Sequence, residues 1–246
     1  MLHGIVMLTS LVVTAAQKPP RDGRELIRAM HDRYAGKWYH TLVFTQHNTA
    51  TRPNGAQEHS TWREYAALPG QLRIEFLPAD SGNGVLFTND SQYNFNADTI
   101  ASATAFVHPL MVLGFDVYVD PVEKTIARLE QYGFDLGRVR EEVWHGRTVY
   151  IVGGKVGDTR RRQFWVDKGR LVFVRMLEPG QRDSTKTTDT RFNKYQPAGD
   201  AWLSAEVEFL VDEQPRWLEQ YIDIKTDTTL APALFDARQW KAARGH

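Results

Sequence analysis

The sequence has no cysteine among its 246 residues, and this absence excludes disulfide bonds, thiol nucleophiles and thiolate metal ligands. It also lacks an excess of charge of either sign, because 30 lysine and arginine residues balance 30 aspartate and glutamate residues. Binding to nucleic acid usually requires a basic surface, so the balanced charge argues against a nucleic-acid partner.

Sequence motifs of the common catalytic and metal sites are also missing. The chain has no Gly-x-Ser-x-Gly motif, and its histidines show no His-x-His, His-x-x-x-His or His-Glu-x-x-His spacing. The glycine-rich run at residues 153–158 lacks the spacing of a nucleotide-binding loop. We therefore predict a protein without enzymatic activity, cofactor or metal. A hydrolase that uses carboxylates or histidines on the strands, such as Glu206 with Glu208, is left as an alternative.

Residues 5–16 form the only strongly apolar stretch near either end of the sequence. Twelve residues are too few to span a bilayer, but they suit the apolar region of a secretory signal. The small residues Thr14, Ala15 and Ala16 suit cleavage before Gln17. We therefore expect a signal peptide over residues 1–16, a single domain over residues 17–246, and a location in the periplasm or otherwise outside the cytoplasm.

The remaining sequence predicts a mainly β protein with helices. Residues 22–35 are predicted to be a helix, because one face at helical spacing carries Leu26, Ile27, Met30 and Tyr34. From residue 37 the pattern changes to a period of two, and turns rich in glycine, proline, asparagine and aspartate separate about twelve strands. A helical insert at residues 104–132 interrupts the strands, and Asp120 and Pro121 predict the start of its main helix.

A sheet of this length twists and curls, and a curled sheet that stays open exposes an apolar concave face. Residues 106–115 are almost continuously apolar, so this part of the insert also needs cover from water. The predicted fold class is therefore an incomplete, open antiparallel β-barrel, with the N-terminal helix and the helical insert covering the concave face. The predicted hydrophobic cavity is lined by Trp38, Phe44, Leu72, Ile74, Phe76, Phe106, Leu110, Met111 and Leu113.

Several short stretches resemble the LolA-type lipoprotein carriers and the wider lipoprotein-sorting-like family. They are LPGQLRIE at residues 68–75, LFTNDSQYNF at 86–95, HPLMVL at 108–113, FWVDKGRL at 164–171 and LFD at 234–236. The resemblance implies a half-barrel with helices across its open side and a cavity for acyl chains. LolA-type carriers place an arginine directly before the proline of the first stretch, where this chain has Leu68. The resemblance therefore does not extend to the transfer of a triacylated lipoprotein.

These observations predict an extracytoplasmic, non-catalytic binding protein or carrier for an apolar ligand. The expected partner is a lipid or an acylated protein. The same fold is also compatible with a protein partner in the cell envelope and with peripheral contact with a membrane. Besides the hydrolase, a second alternative is an envelope sensor or interaction module whose own helices fill the cavity.

The export signal is directly testable. If residues 1–16 are removed during export, the protein purified from its native host should begin near Gln17 and should fractionate outside the cytoplasm. N-terminal sequencing of that protein measures both properties at once. Cytoplasmic protein that retains Met1 would contradict the prediction.

Overall fold

The computed structural model describes residues 18–181 and 183–244, so the predicted signal peptide at residues 1–16 lies outside the described residues. Three α-helices occur in the described part: α1 (Gly23–Tyr34), α2 (Pro109–Gly114) and α3 (Val122–Gln131). Asp22 caps α1, because its side chain accepts a hydrogen bond of 2.9 Å from the backbone nitrogen of Glu25. None of the helices in this part of the chain has the length and apolarity to cross a bilayer.

The described residues also form one antiparallel sheet of thirteen strands. The strands are β1 (Thr41–Thr51), β2 (Gln57–Ala67), β3 (Gln71–Phe76), β4 (Gly84–Thr88), β5 (Ser91–Asn96), β6 (Thr99–Ala105), β7 (Val139–Trp144), β8 (Arg147–Val152), β9 (Gln163–Asp167), β10 (Phe173–Pro179), β11 (Thr187–Ala198), β12 (Ala201–Val211) and β13 (Gln214–Thr226).

The sheet consists of two meanders, the first of strands β1–β6 and the second of strands β7–β13, which meet where β1 pairs with β13. Its spatial order is β6-β5-β4-β3-β2-β1-β13-β12-β11-β10-β9-β8-β7, so β6 and β7 are the two edges and the sheet is not closed. The insert that contains α2 and α3 connects these two edges. The predicted open half-barrel with an N-terminal helix and a helical insert is therefore confirmed.

Some predicted boundaries were wrong for local physical reasons. Strand β6 was missed because all seven of its residues are exposed and all but Ile100 are small or polar, so the segment has no face of large apolar side chains. The first strand begins at Thr41 rather than at residue 37, because the carbonyl of Tyr34 accepts hydrogen bonds from the backbone nitrogens of Lys37 and Trp38. These bonds form a turn that places Trp38 in the core instead of on the sheet.

Helix α3 likewise starts one position later than the sequence indicates. Pro121 occupies the N-cap position, and no side chain caps the helix. The carboxylate of Asp120 instead accepts hydrogen bonds from Lys124 (3.1 Å) and Arg128 (2.9 Å), so it stabilises the first two turns through ion pairs.

The main hydrophobic core lies on the inner face of the sheet, which we define as the face that the helices cover. At its centre the rings of Trp38 and Tyr118 stack with their centroids 3.7 Å apart. The hydroxyl of Tyr118 accepts a hydrogen bond of 2.9 Å from the backbone nitrogen of Phe173 on β10. This contact joins the segment before β1, the insert and the second meander in one buried cluster.

A second, smaller cluster lies on the opposite, outer face. The C-terminal segment places Trp240 against Phe95, with ring centroids 4.1 Å apart, and over the guanidinium of Arg73 at 3.9 Å. Arg73 is fully buried, and it donates hydrogen bonds to the backbone carbonyls of Leu234 (3.2 Å) and Trp240 (2.7 Å) and to the carboxylate of Glu75 (2.6 Å). The guanidinium thus attaches the C-terminal segment to β3.

The outer cluster predicts a large cost for removing Trp240. This side chain is 2% exposed, so Trp240→Ala should lower the free energy of unfolding by about 3–5 kcal/mol, the usual cost of truncating a buried large aromatic residue. Urea denaturation measures the change. Lys241→Ala is the matched control, because the lysine side chain is 76% exposed and should contribute less than about 1 kcal/mol. Equal stability of the two variants would show that the C-terminal segment is not part of the folded core.

Candidate ligand-binding cavity

A cavity of about 190 Å³ lies on the inner face of the sheet, beneath the insert. Its wall is mainly apolar, and it takes residues from seven strands, from the loop between β2 and β3 and from the insert. The apolar lining consists of Leu42, Phe44, Trp62, Ala66, Leu68, Leu72, Ile74, Phe87, Leu110, Met111, Phe115, Phe192, Val207 and Phe209, and the polar lining consists of Gln46, Glu64, His108, Glu219 and Tyr221.

The cavity exists because the helices cover the two meanders unequally. On the second meander, Gly23 of α1 packs against Val152 of β8, and Phe134, just after α3, packs edge-on against Phe164 of β9. Helix α2 has only six residues, is roughly 9 Å long and lies against β10 of the second meander, while its Leu110 and Met111 face the first meander across the cavity. Because a helix of this length cannot cover several strands, space remains between α2 and β1–β3.

Five of the predicted site residues line the cavity. Phe44, Leu72 and Ile74 come from three adjacent strands, and Leu110 and Met111 come from α2. Leu72, Ile74 and Leu110 are partly exposed, so the cavity is in contact with solvent.

The other four predicted site residues lie elsewhere. Trp38 is stacked beneath Tyr118, and Leu113 is fully buried in the main core. Phe76 lies two positions beyond Ile74 on β3, outside the cavity wall, and its ring contacts Trp62 at 4.7 Å between centroids. Phe106 is beside the cavity, with its ring centroid 5.6 Å from that of His108.

Two acidic residues in the wall were not predicted. Glu64 on β2 is 4% exposed and lies between Phe44 and Ile74 in the strand register. Glu219 on β13 accepts hydrogen bonds from the indole of Trp217 (3.1 Å) and from the hydroxyl of Tyr221 (2.7 Å). We refer to Glu64, Glu219, Gln46 and Tyr221 together as the polar patch of the cavity.

The apolar surroundings shift the acid–base properties of this region. Burial raises the pKa of Glu219 from 4.5 to about 7, although the hydrogen bonds from Tyr221 and Trp217 oppose the shift. Burial and then the charge of Glu219 raise the pKa of Glu64 well above its ordinary value. Burial also lowers the pKa of His108 from 6.5 to about 4, so its imidazole is neutral at pH 7.

The sequence did contain a signal for both acids. Residues two apart on a strand face the same side of a sheet, so Glu64 shares a face with Trp62 and Ala66. Glu219 in the same way shares a face with Trp217 and Tyr221. An acidic residue between two inward-facing aromatic or small residues therefore indicates a polar group inside the cavity. The described residues contain no group of three or more histidine and acidic side chains arranged to hold a metal ion.

The sheet, the edge-to-edge insert and the cavity together define a LolA-like fold. One similar solved structure is a DUF1329 family protein from Desulfovibrio piger, with a TM-score of 0.58, 16% sequence identity, and coverage of 90% of this chain and 98% of that one. Another is a putative outer membrane lipoprotein-sorting protein domain from Vibrio parahaemolyticus, with a TM-score of 0.60, 13% identity, and coverage of 89% and 98%.

A LolA superfamily protein from Nitrosomonas europaea is also similar, with a TM-score of 0.54, 10% identity, and coverage of 85% of this chain and 97% of that one. No protein-family model and no curated protein matches the sequence. At these low identities the solved structures establish the fold, which agrees with the family resemblance found in the sequence.

The raised pKa of Glu219 predicts a dependence of stability on pH. The folded state retains a proton that the unfolded state releases above about pH 4.5, so the contribution of this group is complete below pH 4.5 and is lost as the pH rises to about 7. Between these values, the free energy of unfolding of the parent protein should fall by about 1–3 kcal/mol relative to that of Glu219→Gln.

Urea denaturation at several pH values measures this difference. The control is Glu208→Gln on the neighbouring strand β12, because Glu208 faces Arg191 at 3.7 Å and lies outside the cavity wall. The free energy of unfolding of this control should change with pH in the same way as that of the parent protein. A constant difference between the parent protein and Glu219→Gln would show that Glu219 titrates normally.

Proposed function

We propose that this protein is an extracytoplasmic, non-catalytic binding protein or carrier that takes an alkyl chain of a lipid or of an acylated protein into its cavity. The observation that carries the proposal is the apolar cavity of about 190 Å³, which is in contact with solvent beside α2. For comparison, an engineered apolar cavity of roughly 150 Å³ remains dry and binds benzene.

The size of the cavity suits one chain rather than several. Each methylene moved from water into an apolar site contributes about 0.8 kcal/mol, so six methylenes contribute roughly 5 kcal/mol before the entropic cost of binding. We therefore expect dissociation constants in the millimolar range for single-chain amphiphiles. Leu68, which stands where LolA-type carriers have an arginine, is part of the wall and adds to its apolar area.

The chemistry of the wall favours binding over catalysis. Among the described residues that line the cavity there is no serine, threonine, lysine or arginine. Glu206 and Glu208, the carboxylates considered for a hydrolase, instead form ion pairs with Lys194 and Arg191. The wall thus has the features of a ligand site that is largely apolar and has few polar groups.

The proposed location and partners follow from the apolar stretch at residues 5–16 and from the fold. One structure of the same fold is described as a lipoprotein-sorting protein domain, which supports an acylated protein or a lipid as the ligand. A carrier collects and delivers its ligand at the cell envelope. Transient contact with a membrane surface or with an envelope protein is therefore part of the same proposal.

Two leucines on α2 allow binding to be separated from folding. Leu110 lines the cavity and is partly exposed, whereas Leu113 is fully buried in the core. Leu110→Asp should weaken the binding of 1-dodecanol at least tenfold, because it places a charge in the apolar wall. Leu113→Asp should destabilise the protein far more, because it buries a charge without a partner.

Displacement of the fluorescent dye N-phenyl-1-naphthylamine by 1-dodecanol measures binding, and urea denaturation measures stability. Val143→Asp is the control, because Val143 is 69% exposed on the edge strand β7 and should affect neither property. If the parent protein binds neither the dye nor the alcohol while Leu110→Asp unfolds it, the cavity is part of a permanent core and the carrier proposal fails.

A further inference from the structure

Glu64 is the one acidic side chain of the cavity wall that lacks a hydrogen-bond partner among the described residues. It is 4% exposed, and its carboxyl oxygens are not among the fully buried polar atoms that lack a partner, so they border the open space of the cavity. A buried polar group without a partner lowers stability, and native proteins retain such groups mainly where they serve a function. The carboxyl of Glu64 is therefore available to a group that enters the cavity.

Within residues 18–181 and 183–244, the titratable groups around Glu64 include no cation. Glu219 and Tyr221 face the cavity from β13, and His108 faces it from the loop before α2. The imidazole of His108 accepts a hydrogen bond of 3.2 Å from the backbone nitrogen of Leu110, as a neutral ring does. The nearest arginine in sequence, Arg63, is directed to the outer face, where it donates a hydrogen bond of 2.8 Å to Thr45.

We propose that the cavity selects an amphiphile whose alkyl chain ends in a primary ammonium group, and that Glu64 and Glu219 bind this group. The inference rests on the proposed function, because it requires that the cavity accept the alkyl chain. An ammonium group has three N–H donors, which is enough to satisfy Glu64 and also contact Glu219. Its positive charge compensates two carboxylates that repel one another when both are ionised in apolar surroundings.

Other head groups fit this site less well. A hydroxyl donates one hydrogen bond to Glu64 but leaves the two carboxyl groups without a compensating charge. A carboxylate brings a negative charge into apolar surroundings, where it can pair only with the protonated form of Glu64 and is repelled by Glu219 when that group is ionised. We therefore expect the order of affinity to be ammonium, then hydroxyl, then carboxylate, for chains of equal length.

Dye displacement with four twelve-carbon compounds tests this order at pH 7 and constant salt. The compounds are dodecylamine, 1-dodecanol, dodecanoate and dodecyltrimethylammonium, each used below its micelle concentration. Dodecylamine should bind at least tenfold more tightly than 1-dodecanol and more tightly still than dodecanoate. Dodecyltrimethylammonium carries the charge without N–H donors, so it should bind more weakly than dodecylamine.

The Glu64→Gln variant should reduce the affinity for dodecylamine at least tenfold and leave that for 1-dodecanol within about threefold. Glu219→Gln should weaken dodecylamine less, because Glu219 keeps hydrogen bonds from Trp217 and Tyr221 in the parent protein. Glu208→Gln is the matched control and should change neither affinity. Thermal unfolding of each variant verifies that it is folded, and glutamine preserves the shape of the side chain.

Two results separate this inference from the proposed function. If 1-dodecanol binds but dodecylamine is not preferred, or if Glu64→Gln retains the preference, the ammonium site is refuted and the carrier proposal stands. If none of the four compounds binds the parent protein, both proposals fail.

Discussion

The inner face of an open antiparallel sheet must be covered from water, and the rest of the structure depends on this requirement. The edge strands β6 and β7 lie at opposite ends of the sheet, so the chain between them has to cross from one edge to the other. It crosses over the inner face as the insert, which thereby becomes the cover. Helix α1 packs mainly against the insert and reaches the second meander at Val152, and the cavity lies between α2 and the first meander.

Much of the fold was predictable because its signals are local. The spacing of apolar residues and the cap at Asp22 predicted α1, and turn residues between alternating strands predicted most of the hairpins. Strand β6 had no such signal, because an exposed edge strand with small and polar residues has the pattern of a loop. The pairing of β1 with β13 connects residues 167 to 184 positions apart, from Ala50 with Trp217 to Leu42 with Thr226, and no local pattern reports it.

The cavity was less predictable than the fold. Alternation along a strand indicates which side chains face inward, and it placed Phe44, Leu72 and Ile74 on one face. It does not indicate how deeply a helix lies against that face, so Leu110 and Leu113 of α2 were assigned together although only Leu110 lines the cavity. Glu64 was overlooked because a single acidic residue in a strand usually faces solvent.

The unequal cover has a consequence for how such proteins diverge. The second meander and α1 form a closely packed core, in which most substitutions cost stability. The wall of the cavity borders empty space, so its side chains can change in size or polarity while the packing that holds the sheet stays intact. Leu42, Phe44 and Phe192 belong to both the wall and the core, so selection on ligand preference can act apart from selection on folding only at partly exposed wall residues such as Leu72, Ile74 and Leu110. This division suits a fold that chains with only 10–16% identity have in common.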